Sequence, residues 1–189
     1  MHASARTLAV ALVPDRLLSR AVVAVGGTLL LALSAQVAVP LPFSPVPVTG
    51  QTFAVLLIGA ALGARLGAVT VLLYLAEGVA GLPVFTPGAT IGFARLAGPT
   101  GGYLAGFVVA AFVVGLLAER GWDRRVRTAA LAMLVGEAVI YAIALPSLAR
   151  FVPAERLLDA GLWPFVAGDL YKLALASLAL PVAWRVARA

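Results

Sequence analysis

Two oppositely charged side chains stand three residues apart in an otherwise apolar stretch, GDLYKLAL at residues 168–175. They are Asp169 and Lys172, and Lys172 is the only lysine of the chain. On a helix this spacing puts both side chains on one face, within reach of each other. The carboxylate can accept N–H donors and the ammonium can donate to a carbonyl or carboxylate. The pair therefore either binds a polar ligand or only neutralises itself and locks helix packing.

The composition explains why such a pair is unusual. Of the 189 residues, 62% are hydrophobic and only 12% are charged, which is typical of a membrane protein and not of a soluble domain. The arginines are scattered between apolar blocks and form no stripe with interleaved aromatic residues. The net charge of +6 is thus explained by membrane topology, and we expect no nucleic-acid partner.

Six apolar blocks predict an all-α bundle with six membrane-spanning helices, since a helical span needs about 20 apolar residues. The second and third blocks are short, and Gly63, Arg65 and Gly67 indicate a turn between them. We expect one membrane domain over residues 1–189, with residues 1–19 as a cytoplasmic surface arm. The approximate spans are 20–39, 50–64, 66–81, 101–119, 128–148 and 165–186.

The distribution of arginine predicts that both termini lie in the cytoplasm, because positive residues accumulate in cytoplasmic segments. In this orientation three arginines fall outside, namely Arg95, Arg150 and Arg156. Ten fall inside: Arg6, Arg16, Arg20, Arg65, Arg120, Arg124, Arg125, Arg127, Arg185 and Arg188. The opposite orientation would reverse this bias.

Two outer connections differ from ordinary loops. The segment VPLPFSPVPVTG at 39–50 has four prolines and no charge, which favours a stiff extended segment that can act as a lid. The segment GLPVFTPGATIGFARLAGPTGG at 81–102 is rich in glycine and apolar residues. It is typical of a loop folded back onto protein at membrane depth.

Ionisable side chains inside a membrane cost about 2.5–3.5 kcal/mol each on insertion scales and are therefore functional candidates. They gather in the outer half of the bundle, which indicates a pocket open to the outside and not a pore lined along its length. Glu77 is either a ligand contact or an interfacial residue. Glu137 is either a proton relay or, as we prefer, an internal hydrogen-bond partner of Tyr141 one turn on. The polar set is Gln36, Gln51, Glu77, Arg95, Glu137, Asp169 and Lys172.

Missing motifs exclude several classes of function. A phosphate-binding GxxxxGK[ST] loop is absent, and the single histidine, His2, lies in the arm. A serine hydrolase therefore lacks its base, and a histidine-ligated metal centre lacks its ligands. We expect no enzyme activity, no catalytic residue, no metal and no cofactor. A proton- or cation-conducting protein that uses Glu77 and Glu137 is the alternative to a ligand-binding one.

Small residues recur every four positions in two places, at Gly59, Gly63 and Gly67 and at Ala24, Thr28 and Ala32. Such spacing lets a second helix approach closely. The first set fits internal packing and the second a docking face for a partner, but the residues alone do not decide between these roles.

The chain resembles the BioY family, the biotin-binding S components of energy-coupling-factor (ECF) transporters. The resemblance runs from about residue 20 to residue 175. It is carried by PVPVTGQTFAVLLIGAALGARLGAVTVLLYLAEGVAGLPVF (46–85), by LAGPTGGYLAGF (96–107) and by the Asp-x-x-Lys of the last span. It implies a six-helix protein of the bacterial cytoplasmic membrane that binds biotin from outside for uptake.

The resemblance also implies partners and site residues. The partners are a transmembrane coupling protein and two ABC-type ATPases, and a homo-oligomer is a further arrangement left open. In this family a small-residue stripe of the first helix docks the coupling protein, and Thr28 departs from the usual alanine. Asp169 and Lys172 match the family's polar pair, and Arg95 matches a basic residue before GPTGGY. The expected biotin-binding residues are Gln51, Glu77, Arg95, Thr100, Gly101, Gly102, Tyr103, Asp169 and Lys172.

Overall fold

The structure, a computed structural model, describes residues 7–9, 16–88 and 90–187 and is mostly helical over them. The longer helices follow the predicted blocks within a few residues. They are α1 (Leu17–Gln36), α2 (Gln51–Leu62), α3 (Ala64–Val79), α5 (Gly101–Glu119), α6 (Val126–Leu148) and α8 (Trp163–Val186). The shorter ones are α4 (Phe93–Ala97) and α7 (Leu157–Gly161), with 3-10 turns at Trp122–Arg124 and Ala154–Arg156.

Four segments of the described chain are long and apolar enough to cross a membrane: Leu17–Gln36, Gly101–Glu119, Val126–Leu148 and Ala154–Val186. Helix α2 has 12 residues. At 1.5 Å per residue it spans about 18 Å, against about 30 Å of hydrocarbon. Six crossings and cytoplasmic termini therefore stay predictions. Most of the predicted arm, together with Arg188, lies outside the described residues.

Helices α2 and α3 form a tight hairpin around Gly63. The backbone of Gly63 has a φ of 84°, a conformation that glycine adopts without steric cost. The first free amide of α3, that of Ala64, donates to Oε1 of Glu119 at 2.9 Å. The turn predicted around residues 63–67 is thus confirmed, and it is fastened to the end of α5.

Helix α5 lies at the centre of the bundle and packs against α2, α3 and α6. Glycines make this possible, because the backbones approach too closely for larger side chains. A Cβ on Gly59 would lie 2.6 Å from the carbonyl oxygen of Ala111, and one on Gly106 would lie 3.1 Å from Ile140. The glycine spacing of α2 therefore serves internal packing. Large apolar side chains on the outer faces of α1 and α8, such as Leu33 and Leu170, stay exposed, as expected for contact with lipid.

The proline-rich segment forms an antiparallel hairpin of β1 (Ala38–Leu41) and β2 (Ser44–Thr49). The prediction of extended chain is confirmed, but the all-α fold class needs this correction. Val39 pairs with Val48, and the register then shifts before Leu41 pairs with Ser44. The shift falls at Pro40, which has no N–H to donate to the ladder.

The stripe of small residues on α1, at Ala24, Thr28 and Ala32, packs largely within the chain. Ala24 and Thr28 are buried. The same face of α1 lies against α3 and α2, since a Cβ on Gly27 would contact Thr70 and Ile58. The structure therefore favours internal packing for Ala24 and Thr28, and docking of a partner on this helix stays a prediction.

The arginine-rich connections lie at one end of the bundle. Trp184, near the end of α8, donates to Oδ2 of Asp123 at 2.5 Å, in the connection between α5 and α6. The contact between Ala64 and Glu119 fastens the α2–α3 turn to the end of α5 that leads into the same connection. This common end fits the predicted grouping of positive charge on one side of the membrane.

The packing of α2 on α5 predicts that Gly59→Ala destabilises the protein. The new Cβ meets backbone atoms of Ala111, and overpacking of this kind typically costs about 1–3 kcal/mol. The control is Gly26→Ala on the exposed face of α1, where a Cβ meets nothing within 4 Å. Thermal unfolding in detergent should show a lower Tm for Gly59→Ala alone; equal Tm values for both variants would contradict the packing.

Candidate ligand-binding site

A cavity lies between the β-hairpin, the loop after α3 and the first turns of α2, α5 and α8. Its empty space, including its open mouth, is about 570 Å³. It is lined by Val46, Pro47, Thr49, Gln51, Thr52, Phe85, Thr86, Arg95, Thr100, Tyr103, Leu104, Phe107, Ile140, Tyr141, Phe165, Asp169 and Lys172.

Asp169 and Lys172 form a salt bridge in this cavity, with 3.0 Å between Oδ1 and Nζ. The ammonium also donates to the carbonyl of Thr49 at 2.7 Å and to the hydroxyl of Thr52 at 3.1 Å. Oδ1 of Asp169 accepts from Thr52 as well, and Oδ2 accepts a very short hydrogen bond from Tyr141. An ammonium has three N–H donors, so bonds within the protein use all three donors of Lys172.

A second polar group is centred on Gln51, which is buried in the first turn of α2. Its amide nitrogen donates to the hydroxyl of Tyr74 at 2.9 Å, and its carbonyl oxygen accepts from Thr86 at 3.2 Å. The carbonyl of Thr86 accepts in turn from Nη2 of Arg95 at 3.0 Å. Thr49 links the two groups, because its hydroxyl donates to Gln51 while its carbonyl accepts from Lys172.

Arg95 is the uncompensated charge of the cavity. Partial burial lowers the pKa of its guanidinium, an effect opposed by Tyr74, but an arginine side chain stays protonated in proteins. Among the described residues no carboxylate lies within ion-pair distance of Arg95. Since Asp169 and Lys172 neutralise each other, the cavity keeps one net positive charge.

Aromatic and aliphatic side chains complete the wall. Tyr103 is buried and donates to the carbonyl of Gly161 at 2.5 Å, which ties α5 to the short helix α7. Its ring lies 6.2 Å from that of Phe165 and 6.3 Å from that of Tyr141. Phe85, in the loop after α3, is buried edge-on against Tyr74. This loop does fold back onto the protein, as the sequence predicts.

The structure brings most of the predicted site residues together. Those that line the cavity are Gln51, Arg95, Thr100, Tyr103, Asp169 and Lys172. Glu77 is half-buried and does not line it. Gly101 and Gly102 do not line it either. A Cβ on Gly101 would meet the backbone of Leu96 and one on Gly102 would meet Ser147, so both glycines allow close packing of α5. Tyr171 points away from the pair, as predicted, and is 75% exposed.

Sequence reasoning missed four polar residues of the site, Thr49, Thr52, Thr86 and Tyr141. Tyr141 had been expected to bond to Glu137, and this prediction is wrong because its hydroxyl donates to Asp169. In the sequence, the only feature that points to Tyr141 is its position one helical turn after Glu137. The contact with Asp169 joins two helices, and no local pattern reveals it.

Comparison with known proteins agrees with this architecture. A model of the BioY family matches residues 5–189. The probable biotin transporter BioY of Pyrococcus horikoshii is 41% identical over 147 residues, which are 78% of this chain and 85% of that protein. The biotin transporter BioY of Thermotoga maritima is 39% identical over 155 residues, covering 80% and 87%.

A solved structure shares the fold. It is the crystal structure at 2.1 Å of the S-component for biotin from an ECF-type ABC transporter. It matches with a TM-score of 0.76 at 23% identity, over 89% of this chain and 92% of the other. The match of the family model over nearly the whole length, together with these relatives, shows that the chain belongs to the BioY family.

Proposed function

We propose that the chain captures biotin in this cavity from outside the cell, as the substrate-binding S component of an ECF-type uptake system. It is a transport protein and not an enzyme. Its membership of the BioY family supports the substrate, since relatives of this family are named as biotin transporters. The chemistry of the cavity supports it independently.

The charge of the cavity is the single observation that carries this proposal. Biotin has a ureido ring with two N–H donors and a carbonyl, an apolar bicycle and chain, and one carboxylate. The cavity offers a neutral acid–amine pair, apolar and aromatic walls, and one unpaired cation in Arg95. A ligand with a single negative charge and a polar, uncharged ring matches this arrangement.

The hydrogen bonds favour one orientation of the ligand. Asp169 is the acceptor for the ureido N–H groups, because placing the ligand's carboxylate there would put like charges together. All three donors of Lys172 are used within the protein, whereas the bonds of Arg95 leave most of its five N–H groups available. Arg95 is therefore the partner of the carboxylate. The rings of Phe85, Phe107 and Phe165 pack against the apolar part of the ligand.

The same proposal includes the membrane in which the protein lies and the proteins with which it associates. The chain is a single multi-pass domain of a bacterial cytoplasmic membrane, with six crossings and both termini inside. Because the sequence has no phosphate-binding loop, ATP hydrolysis comes from two ABC-type ATPases, which a transmembrane coupling protein connects to this chain. Association of several copies is the alternative arrangement.

Conduction of protons or cations by Glu77 and Glu137 has less support. Glu137 lines a cleft between α6 and α8 that does not include Glu77, and neither side chain lines the ligand cavity. The interior of the bundle is filled by apolar residues with no exposed surface, such as Val71, Val114 and Met133. A conducting path would need polar groups along its length.

The role given to Arg95 predicts that Arg95→Gln weakens biotin binding selectively. Loss of a charged hydrogen-bond donor, at about 1.5–3 kcal/mol, should weaken binding about 10- to 100-fold in isothermal titration calorimetry. Biotinamide, which lacks the negative charge, should bind the variant and the wild type nearly equally. Arg150→Gln, at an exposed arginine, is the matched control. Equal losses for biotin and biotinamide would contradict this assignment.

The role given to Asp169 predicts a different pattern. Asp169→Asn removes the ionised acceptor and should weaken biotin and biotinamide alike, by about 10-fold or more. It also leaves the partly buried ammonium of Lys172 without its carboxylate, so the ligand-free protein should have a lower Tm. Asp159→Asn on the exposed side of α7 is the control. Unchanged affinity for both ligands would rule out contact between Asp169 and the ureido ring.

A further inference from the structure

Tyr74 is a buried polar side chain of α3 that the proposed site does not use. It has no exposed surface and does not line the ligand cavity. Its hydroxyl accepts from the amide nitrogen of Gln51 at 2.9 Å and donates to the carbonyl of Val84 at 3.0 Å. One partner belongs to α2 and the other to the loop after α3. The hydroxyl therefore connects two elements that border the cavity.

Arg95, the proposed partner of the ligand's carboxylate, depends on this loop for its position. It lies in α4, which has only five residues, none of them buried, and is flanked by Gly92 and Gly98. A helix of this length is not stable by itself. The guanidinium of Arg95 donates to the carbonyl of Thr86 at 3.0 Å. Its position is therefore set by where the loop places Thr86.

The loop is held from behind at residues 84–86. The ring of Phe85 fills a notch at Gly78 of α3, where a Cβ would overlap the ring. The same ring lies edge-on to Tyr74, with 5.5 Å between the ring centroids. The carbonyl of Phe85 accepts from Gln36 of α1 at 3.3 Å. Packing and hydrogen bonds thus fasten this part of the loop to two helices.

Three side-chain hydrogen bonds close a ring between the loop and the helices. Tyr74 donates to the carbonyl of Val84, and Gln51 donates to Tyr74. Thr86, two residues after Val84, donates from its hydroxyl to Gln51 at 3.2 Å. The hydroxyl of Tyr74 takes part in two of these bonds, so its removal opens the ring on both sides.

The two ends of the ligand cavity are held by different contacts. Lys172 and Asp169 are fixed by the backbone carbonyl of Thr49 and by the hydroxyls of Thr52 and Tyr141. None of these bonds involves the loop after α3. Loosening the loop should therefore affect the end of the cavity that receives the carboxylate and not the end that receives the ureido ring.

We propose that Tyr74 is a positioning residue that holds residues 84–86 against α2 and α3, so that Thr86 presents Arg95 to the carboxylate of the ligand. Tyr74 does not contact the ligand. If the loop leaves this arrangement for part of the time, the apparent affinity falls by the fraction of molecules that remain competent. The inference rests on the proposed function, in which Arg95 is the partner of the carboxylate.

Tyr74→Phe keeps the ring against Phe85 and removes only the hydroxyl. In isothermal titration calorimetry it should weaken biotin binding about 5- to 10-fold, less than Arg95→Gln does, because the guanidinium is displaced and not lost. Biotinamide should bind within about threefold of its wild-type affinity, which also shows that the variant is folded. Tyr171→Phe, at a tyrosine that is 75% exposed, is the matched control and should change neither affinity.

A double-mutant cycle separates positioning of Arg95 from a general effect on the fold. In the Arg95→Gln background, Tyr74→Phe should cause no further loss of biotin affinity, because the contact through which Tyr74 acts is already gone. Additive losses, equal losses for biotin and biotinamide, or wild-type affinity in Tyr74→Phe would overturn the inference.

The same cycle distinguishes the inference from the proposed function. If Arg95→Gln weakens biotin binding and Tyr74→Phe does not, the role of Tyr74 fails and the ligand contact of Arg95 stands. If Arg95→Gln itself leaves biotin binding unchanged, the proposed contact fails and the inference fails with it.

Discussion

The salt bridge between Asp169 and Lys172 is the interaction on which the site depends. A charge in a low-dielectric interior is tolerated only when it is paired and fully hydrogen-bonded. Each partner is therefore held by several elements: Lys172 by the carbonyl of Thr49 at the end of β2, and Asp169 by Thr52 of α2 and Tyr141 of α6. Satisfying this one pair fixes α8 relative to two other helices and to the hairpin. The same contacts bring an acidic oxygen to the wall of the cavity.

The two ends of the bundle solve different physical problems. Toward the α2–α3 turn, small residues let α2, α3 and α5 pack in direct backbone contact and leave little space. At the other end, the hairpin and the loop after α3 cover the first turns of the helices. Their polar groups bond to side chains that line the cavity, as the carbonyl of Thr86 does to Arg95. Irregular backbone at membrane depth is stable only when its polar groups are satisfied in this way.

The acid–amine pair and Arg95 contribute different properties to the cavity. The neutral pair contributes hydrogen-bond capacity without attracting ions, and Arg95 contributes the single net charge.

The sequence by itself determined the membrane class and the approximate bounds of the six longer helices, and it singled out Asp169, Lys172 and Arg95 as candidates for the site. These features are local: hydropathy, turn residues and the rarity of charge in an apolar chain can be read from neighbouring residues. The motif shared with the BioY family added the ligand, which composition does not reveal. Glycine spacing predicted close helix contacts but not which helices make them.

Only the tertiary structure decided which partners these residues have. The bond of Tyr141 to Asp169, the burial of Ala24 and Thr28, and the packing role of Gly101 and Gly102 all depend on contacts between elements far apart in the chain. Helical periodicity gives the direction of a side chain relative to its own helix. The rotation and depth of that helix against its neighbours are set by the packing of the whole bundle, and so the geometry of the site is not written in any one segment.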